Sequence, residues 1–123
     1  MQNHPPALAM PSLEMIENTW SQADYEVQLF CPEFTCLCPF THKPEFAELS
    51  ISYVPGSYII ETRSFKNYLA AFRNIELLQE FAINHICRDL SVALQPKKLT
   101  VKGEFVARGG IRITPVAQYK CSN

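Results

Sequence analysis

The 123-residue chain reads as an α+β protein, with one four-stranded antiparallel sheet and two helices on one of its faces. Three observations predict this. Two runs of alternating apolar residues come first. A longer stretch with apolar residues at spacings of three and four follows. Two further alternating runs, joined through a glycine-bearing turn, close the chain. The implied order is β–β–α–α–β–β.

Residues 1–24 show little periodicity and carry Pro5, Pro6 and Pro11, so they read as an N-terminal arm, partly mobile or docked on a neighbour. Residues 25–123 read as a single domain. Its first strand starts at Tyr25, where Tyr25, Val27, Leu29 and Cys31 alternate with Glu26, Gln28 and Phe30, and Pro32 ends it. Pro39 and Pro44 mark the stretch from Glu33 to Lys43 as a loop. Ala47, Leu49, Ile51 and Tyr53 define the second strand, which Pro55 and Gly56 close. Ser57 to Glu61 is short and leads into a helix that Ser64 can cap. Phe65, Leu69 and Phe72 share one face of that helix. A second helix is expected from Ile75 or Glu76, carrying Leu78, Ala82, Ile86, Leu90 and Ala93, with Pro96 just past its end. Leu99, Val101, Phe105 and Ala107 form the third strand, Arg108-Gly109-Gly110 the turn, and Ile111, Ile113 and Pro115 the fourth. Such a sheet has two free edges, and edges are commonly hidden by association, so a homo-oligomer is expected.

Composition narrows the class. Hydrophobic residues make up 47% and charged residues 19%, with a net charge of −1, which suits an ordinary globular core. That balance disfavours a strongly basic nucleic-acid module, and no apolar run approaches the roughly 18 residues of a membrane span. Residues 1–10 read as neither signal peptide nor anchor. Five cysteines without a secretory leader suggest reduced thiols and a cytoplasmic protein. Cys31, Cys36 and Cys38 are not at a standard zinc spacing, and His4, His42 and His85 are scattered, so no metal site is expected.

Four stretches could carry chemistry. Cys38, beside Pro39 and seven residues before Glu45, could be a nucleophile with a proton donor across the same pocket; alone, the plainer reading is a small apolar filler. Arg63, Ser64 and Lys66 stand at a helix start, where N–H groups and the dipole favour anions; the plainer reading is a solvated cap. Arg108-Gly109-Gly110 could admit a phosphate closely, or be only a hairpin turn. Gln79 and Glu80, beside the apolar face of the second helix, could meet a purine-like ring, or simply be exposed.

In register, these stretches resemble the QueF family of NADPH-dependent 7-cyano-7-deazaguanine reductases. Phe34-Thr35-Cys36-Leu37-Cys38-Pro39-Phe40-Thr41-His42-Lys43-Pro44-Glu45-Phe46 is similar to the family's loop F-T-S-L-C-P-x-T-G-x-P-D-F. Glu61 to Tyr68 resembles its signature E-[SL]-K-[SA]-x-K-x-[YFW]. Tyr68 to Asn74 and Phe105 to Ile111 match further family patterns. The resemblance implies the tunnelling fold, stacked-ring homo-oligomers with interfacial sites, and NADPH as cofactor. It implies a small-molecule substrate, 7-cyano-7-deazaguanine, whose nitrile is reduced to an aminomethyl group for queuosine tRNA modification. It implies Cys38 as nucleophile forming a thioimidate and Glu45 as proton donor. By the same resemblance Ile60, Glu61, Thr62, Gln79 and Glu80 hold the substrate, and Arg63, Ser64, Lys66, Arg108 and Gly109 hold NADPH.

The chain departs from the family pattern at several places. Glu45 replaces an aspartate, Gln79 a histidine and His42 a glycine, while Thr62 and Arg63 keep a hydroxyl-sized residue and a positive charge. Two other readings stand beside the reductase: a QueF-like amidino-forming enzyme acting on a deazaguanine within tRNA or DNA, and a non-catalytic tunnelling-fold protein that binds a purine-like ligand.

Overall fold

A computed structural model describes residues 8–122. Six strands and two helices run in the order β1 (Met15–Glu17), β2 (Val27–Leu37), β3 (Pro44–Val54), β4 (Tyr58–Ile60), α1 (Thr62–Ala71), α2 (Gln79–Leu94), β5 (Lys98–Phe105) and β6 (Val116–Lys120). The main sheet is antiparallel, in the order β2-β3-β5-β6. The expected β–β–α–α–β–β unit is present, with its core on one side of this sheet.

That core follows from period-two alternation on the strands. Leu49, Ile51 and Tyr53 of β3 and Leu99, Val101 and Phe105 of β5 are all buried, facing Ile83, Ile86, Leu90 and Leu94 of α2. Helix α1 adds Phe65, Tyr68 and Leu69, and a short 3-10 turn over Phe72–Asn74 adds Phe72. Phe72 stacks obliquely on Phe34 at 5.4 Å between ring centroids. Among the described residues, no helix is long and apolar enough to cross a membrane.

Proline 32 does not end the first strand. Cys31 pairs with Leu49 and Phe34 with Ala47, so β2 spends one residue more than β3 over that interval. This is a bulge, tolerated because β2 lies at the sheet edge, where a missing N–H costs no ladder bond. The extra residue shifts the alternation: Leu29 and Cys31 are half-buried before it, and Phe34 and Cys36 are buried after it. The strand therefore runs to Leu37, and the loop expected over Glu33 to Lys43 shrinks to its last six residues.

Three other expectations are corrected. Glu61, not Ser64, caps α1: its carboxylate accepts from the N–H groups of Ser64 at 2.7 Å and Arg63 at 3.0 Å. Helix α2 starts at Gln79 because residues 75–77 lie alongside β2 instead, with Leu37 donating to Ile75 and Leu77 to Leu37, each at 3.0 Å. The last strand is Val116–Lys120, not the run at Ile111 and Ile113, which are exposed. Arg108 to Ile111 forms its own tight turn within a longer connection. Residues 15–17 of the expected arm pair with β4 of the same chain, and Asn18 donates to the Ser57 carbonyl at 2.8 Å.

Candidate active site

The loop from Cys38 to Lys43 leaves β2 and returns as β3. It is closed by Cys38 donating to the Lys43 carbonyl at 2.9 Å and His42 donating to the Cys38 carbonyl at 2.8 Å. That closure requires a left-handed residue, and His42 adopts φ 62°. The position explains the glycine usual in the resembling loop: a side chain there costs about 1–2 kcal/mol. The His42 ring donates through Nδ1 to the Glu76 carboxylate.

Inside this turn the Cys38 sulfur is half-exposed and accepts from the Thr41 N–H at 3.5 Å. Contacts from Thr41, then the backbone N–H of Phe40, hold its thiol below the ordinary value; partial desolvation and nearby Glu45 oppose this. Cys36 is the contrast. It is fully buried, and burial, with Glu45 and Cys38 nearby, pushes its thiol up to about 12. One thiol is half-exposed and eased towards ionisation, and its neighbour is packing.

Glu45 stands opposite Cys36 across the β2–β3 ladder and is half-buried. Arg108 reaches the same corner, donating from Nη2 to the Pro44 carbonyl at 2.9 Å. The backbone bridge between Leu37 and residues 75–77 brings the start of α2 there too, with Gln79 and Glu80. Gln79 is buried, and its Oε1 has no hydrogen-bond partner, the mark of an acceptor awaiting a donor. Glu80 is exposed. Cys38, Glu45, Gln79, Glu80 and Arg108 are thus gathered at one end of the sheet.

The remaining expected residues lie at the other end. Ile60 donates its N–H to the Tyr53 hydroxyl at 3.1 Å. Tyr53 is eight residues along β3 from Glu45, about 26 Å at the rise of a strand. Ile60, Glu61, Thr62, Arg63, Ser64 and Lys66 cluster there, around the start of α1. Glu61 is held below the usual carboxylate range by the N–H groups it caps, that of Ser64 first, and by the Arg63 charge. Ser64 is buried, donating to the Glu61 carbonyl at 2.8 Å and accepting from the Glu14 N–H at 2.9 Å, so its hydroxyl serves the fold. Gly109 and Gly110 have φ 59° and 82°, and space around both is open. Turn geometry accounts for these glycines without a close ligand approach.

Between α1 and the bulged half of β2 lies a cavity of about 510 Å³. Its floor includes Leu29, Phe65 and Leu69, and Lys66 and Arg73 bring cations to it. An apolar floor with two cations suits a nucleotide and its phosphates, so this donor set fits NADPH. Arg73, Thr41 and Glu76 were not among the residues expected from sequence. Arg73 had a signal, lying seven residues after Lys66 and so on the same helical face; the roles of Thr41 and Glu76 depend on the folded turn.

A family profile described as QueF-like protein matches residues 44–123. A reductase of Bacteroides thetaiotaomicron named NADPH-dependent 7-cyano-7-deazaguanine reductase is 46% identical over 107 residues, covering 87% of this chain and 71% of its own. The chain belongs to the QueF family. A like-named Neisseria meningitidis protein is 43% identical over 116 residues, 94% of this chain and 74% of its own. Matches this long necessarily include the Cys38 loop, which the family profile leaves out. In fold, the chain is similar to the apo form of the archaeosine synthase QueF-Like, with a TM-score of 0.72 over 80% of this chain and 96% of that one, at 20% identity. That likeness confirms the expected tunnelling-fold architecture.

Proposed function

We propose that this QueF-family chain is an NADPH-dependent oxidoreductase that reduces the nitrile of 7-cyano-7-deazaguanine to an aminomethyl group. The observation that carries the reading is the half-exposed Cys38 sulfur, its thiol held below the ordinary value by Thr41 first and then by the Phe40 N–H, with Glu45 nearby. The thiolate adds to the nitrile carbon, forming a C–S bond and a thioimidate, while the nitrile nitrogen takes a proton from Glu45. NADPH, when bound, would supply hydride: after the first hydride reaches the thioimidate carbon the C–S bond breaks and Cys38 leaves as thiolate, and after the second the carbon is a primary amine, two hydrides and two protons being taken up in all.

Gln79, whose buried Oε1 needs a donor, and Glu80 read the deazaguanine from the Cys38 end. Ile60, Glu61 and Thr62 contribute from the opposite end of a second copy of the chain, since one chain holds them about 26 Å from Glu45 along β3. Lys66 and Arg63 bind nucleotide phosphate and Arg73 joins them, while Arg108 secures the catalytic corner. A homo-oligomer with interfacial sites is therefore part of the proposal, and the free edges of β2 and β6 support it. The reduced thiols fit a cytoplasmic setting.

Loss of reduced-nicotinamide absorbance only when the nitrile base is supplied, abolished in Cys38→Ala, is the expected result. Turnover by Cys38→Ala would overturn the mechanism. Curated relatives at 42–46% identity carry the reductase name, which favours reduction over amidine formation.

A further inference from the structure

We propose that His42 is a positioning residue for Cys38, acting through Glu76. The proposal rests on the reductase reading and deepens it. Both legs of the Cys38 loop are fastened to the same short segment. On the incoming leg, Leu37 exchanges backbone hydrogen bonds with Ile75 and Leu77. On the outgoing leg, the His42 ring reaches Glu76, the residue between those two. Three residues later the segment becomes Gln79, the buried acceptor at the head of α2. The nucleophile and the substrate-reading end of α2 are thereby joined through one strut.

Two features separate this from ordinary surface pairing. His42 is left-handed at φ 62°, a conformation in which a histidine is less comfortable than the usual glycine. Its partner contact is solvent-exposed, at 67% and 44% side-chain accessibility, and exposed pairs contribute little to folding. The strain therefore has no matching return in stability. What the ring does supply is orientation: with it in place, the Thr41 N–H stays aimed at the Cys38 sulfur. The other titratable groups bearing on that sulfur are Glu45 on β3 and the Cys36 thiol on β2, and neither is bonded to His42.

The test uses the full chain carrying His42→Gly, Glu76→Ala, both together, or Glu76→Gln, which keeps an acceptor for the ring. Two rates are followed by mass: alkylation of Cys38 by iodoacetamide against pH, and adduct formation with 7-cyano-7-deazaguanine without cofactor. Expected in His42→Gly are a melting temperature that is not lowered and rises as the left-handed strain is relieved, an alkylation midpoint moved to higher pH, and adduct formation slowed on the order of tenfold. Glu76→Ala should match it in both rates, the double variant should be no slower, and Glu76→Gln should recover most of the rate. Wild-type alkylation profiles in His42→Gly, or losses that multiply in the double variant, would overturn the strut. If the wild-type chain forms no adduct, the reductase reading fails, and the alkylation profiles alone still decide the role of His42.

Discussion

Thr41 donates its backbone N–H to the sulfur of Cys38, three residues earlier, at 3.5 Å. Main-chain donors of this kind stabilise a thiolate without requiring a nearby lysine or arginine. Cys38 should therefore react first among the five cysteines when the native protein meets iodoacetamide near neutral pH. Its rate should rise with pH with a midpoint below 9.0, the ordinary thiol value. Cys36, pushed up to about 12, and Cys87, raised by burial, should remain unmodified over the same interval. Peptide mass mapping after brief exposure checks this. Modification of Cys36 ahead of Cys38 would contradict the described packing.

Glu45 has one task if it is the proton donor and another if it merely steadies the loop. Glu45→Gln keeps size and hydrogen-bonding capacity but holds no transferable proton. Turnover should then fall about 10²–10⁴-fold, the usual contribution of a positioned acid. The Cys38 adduct should still form, because solvent can protonate the nitrogen slowly. Stopped-flow nicotinamide absorbance reads the first quantity and intact mass the second. Unimpaired turnover in this variant would remove Glu45 from the chemistry.

The separation of Ile60 and Glu61 from Cys38 along β3 yields a test by mixing. Cys38→Ala and Glu61→Ala chains should each be inactive alone. Unfolded together and refolded as one oligomer, they should regain about one quarter of wild-type activity, since that fraction of interfaces would pair two intact halves. No recovery in a mixture shown to contain both chains would mean that each site is built within one chain.

Much of this arrangement was readable before folding was considered, because the sheet and both helices follow from local periodicity. Leu49, Ile51 and Tyr53 sit on the buried face that their alternation specifies. What escaped depends on partners distant in sequence. The bulge at Pro32 changes the phase of β2, so a simple alternating pattern stops at a strand's midpoint. The delayed start of α2 reflects backbone bonds from residues 75–77 to Leu37, nearly forty residues away. Ser64 looked like a cap because serine favours that role, yet the longer Glu61 carboxylate reaches two N–H groups at once. The residues of the Cys38 loop were recognisable as a motif, but it takes the folded turn to bring the Thr41 hydroxyl and N–H, and the Phe40 N–H, onto the sulfur.

Gly103 offers a stability test independent of catalysis. It lies on β5, buried under α2, and an added β-carbon would stand 2.5 Å from Ile83 Cδ1 and 3.0 Å from its Cγ1. The end of the isoleucine can turn aside, but Cγ1 is closer to the helix backbone and can yield only if α2 shifts. Its neighbours Ile86 and Val101 are fully buried, which leaves little room. Gly103→Ala should therefore destabilise the chain by about 1–3 kcal/mol, the cost of overpacking a filled core. Urea denaturation should show a lower midpoint with an unchanged slope. Adding Ile83→Val removes the atom that clashes most severely and should restore part of the loss, making the pair better than the sum of its singles. If Gly103→Ala alone leaves the midpoint unmoved, helix α2 is not seated as closely on β5 as these distances require.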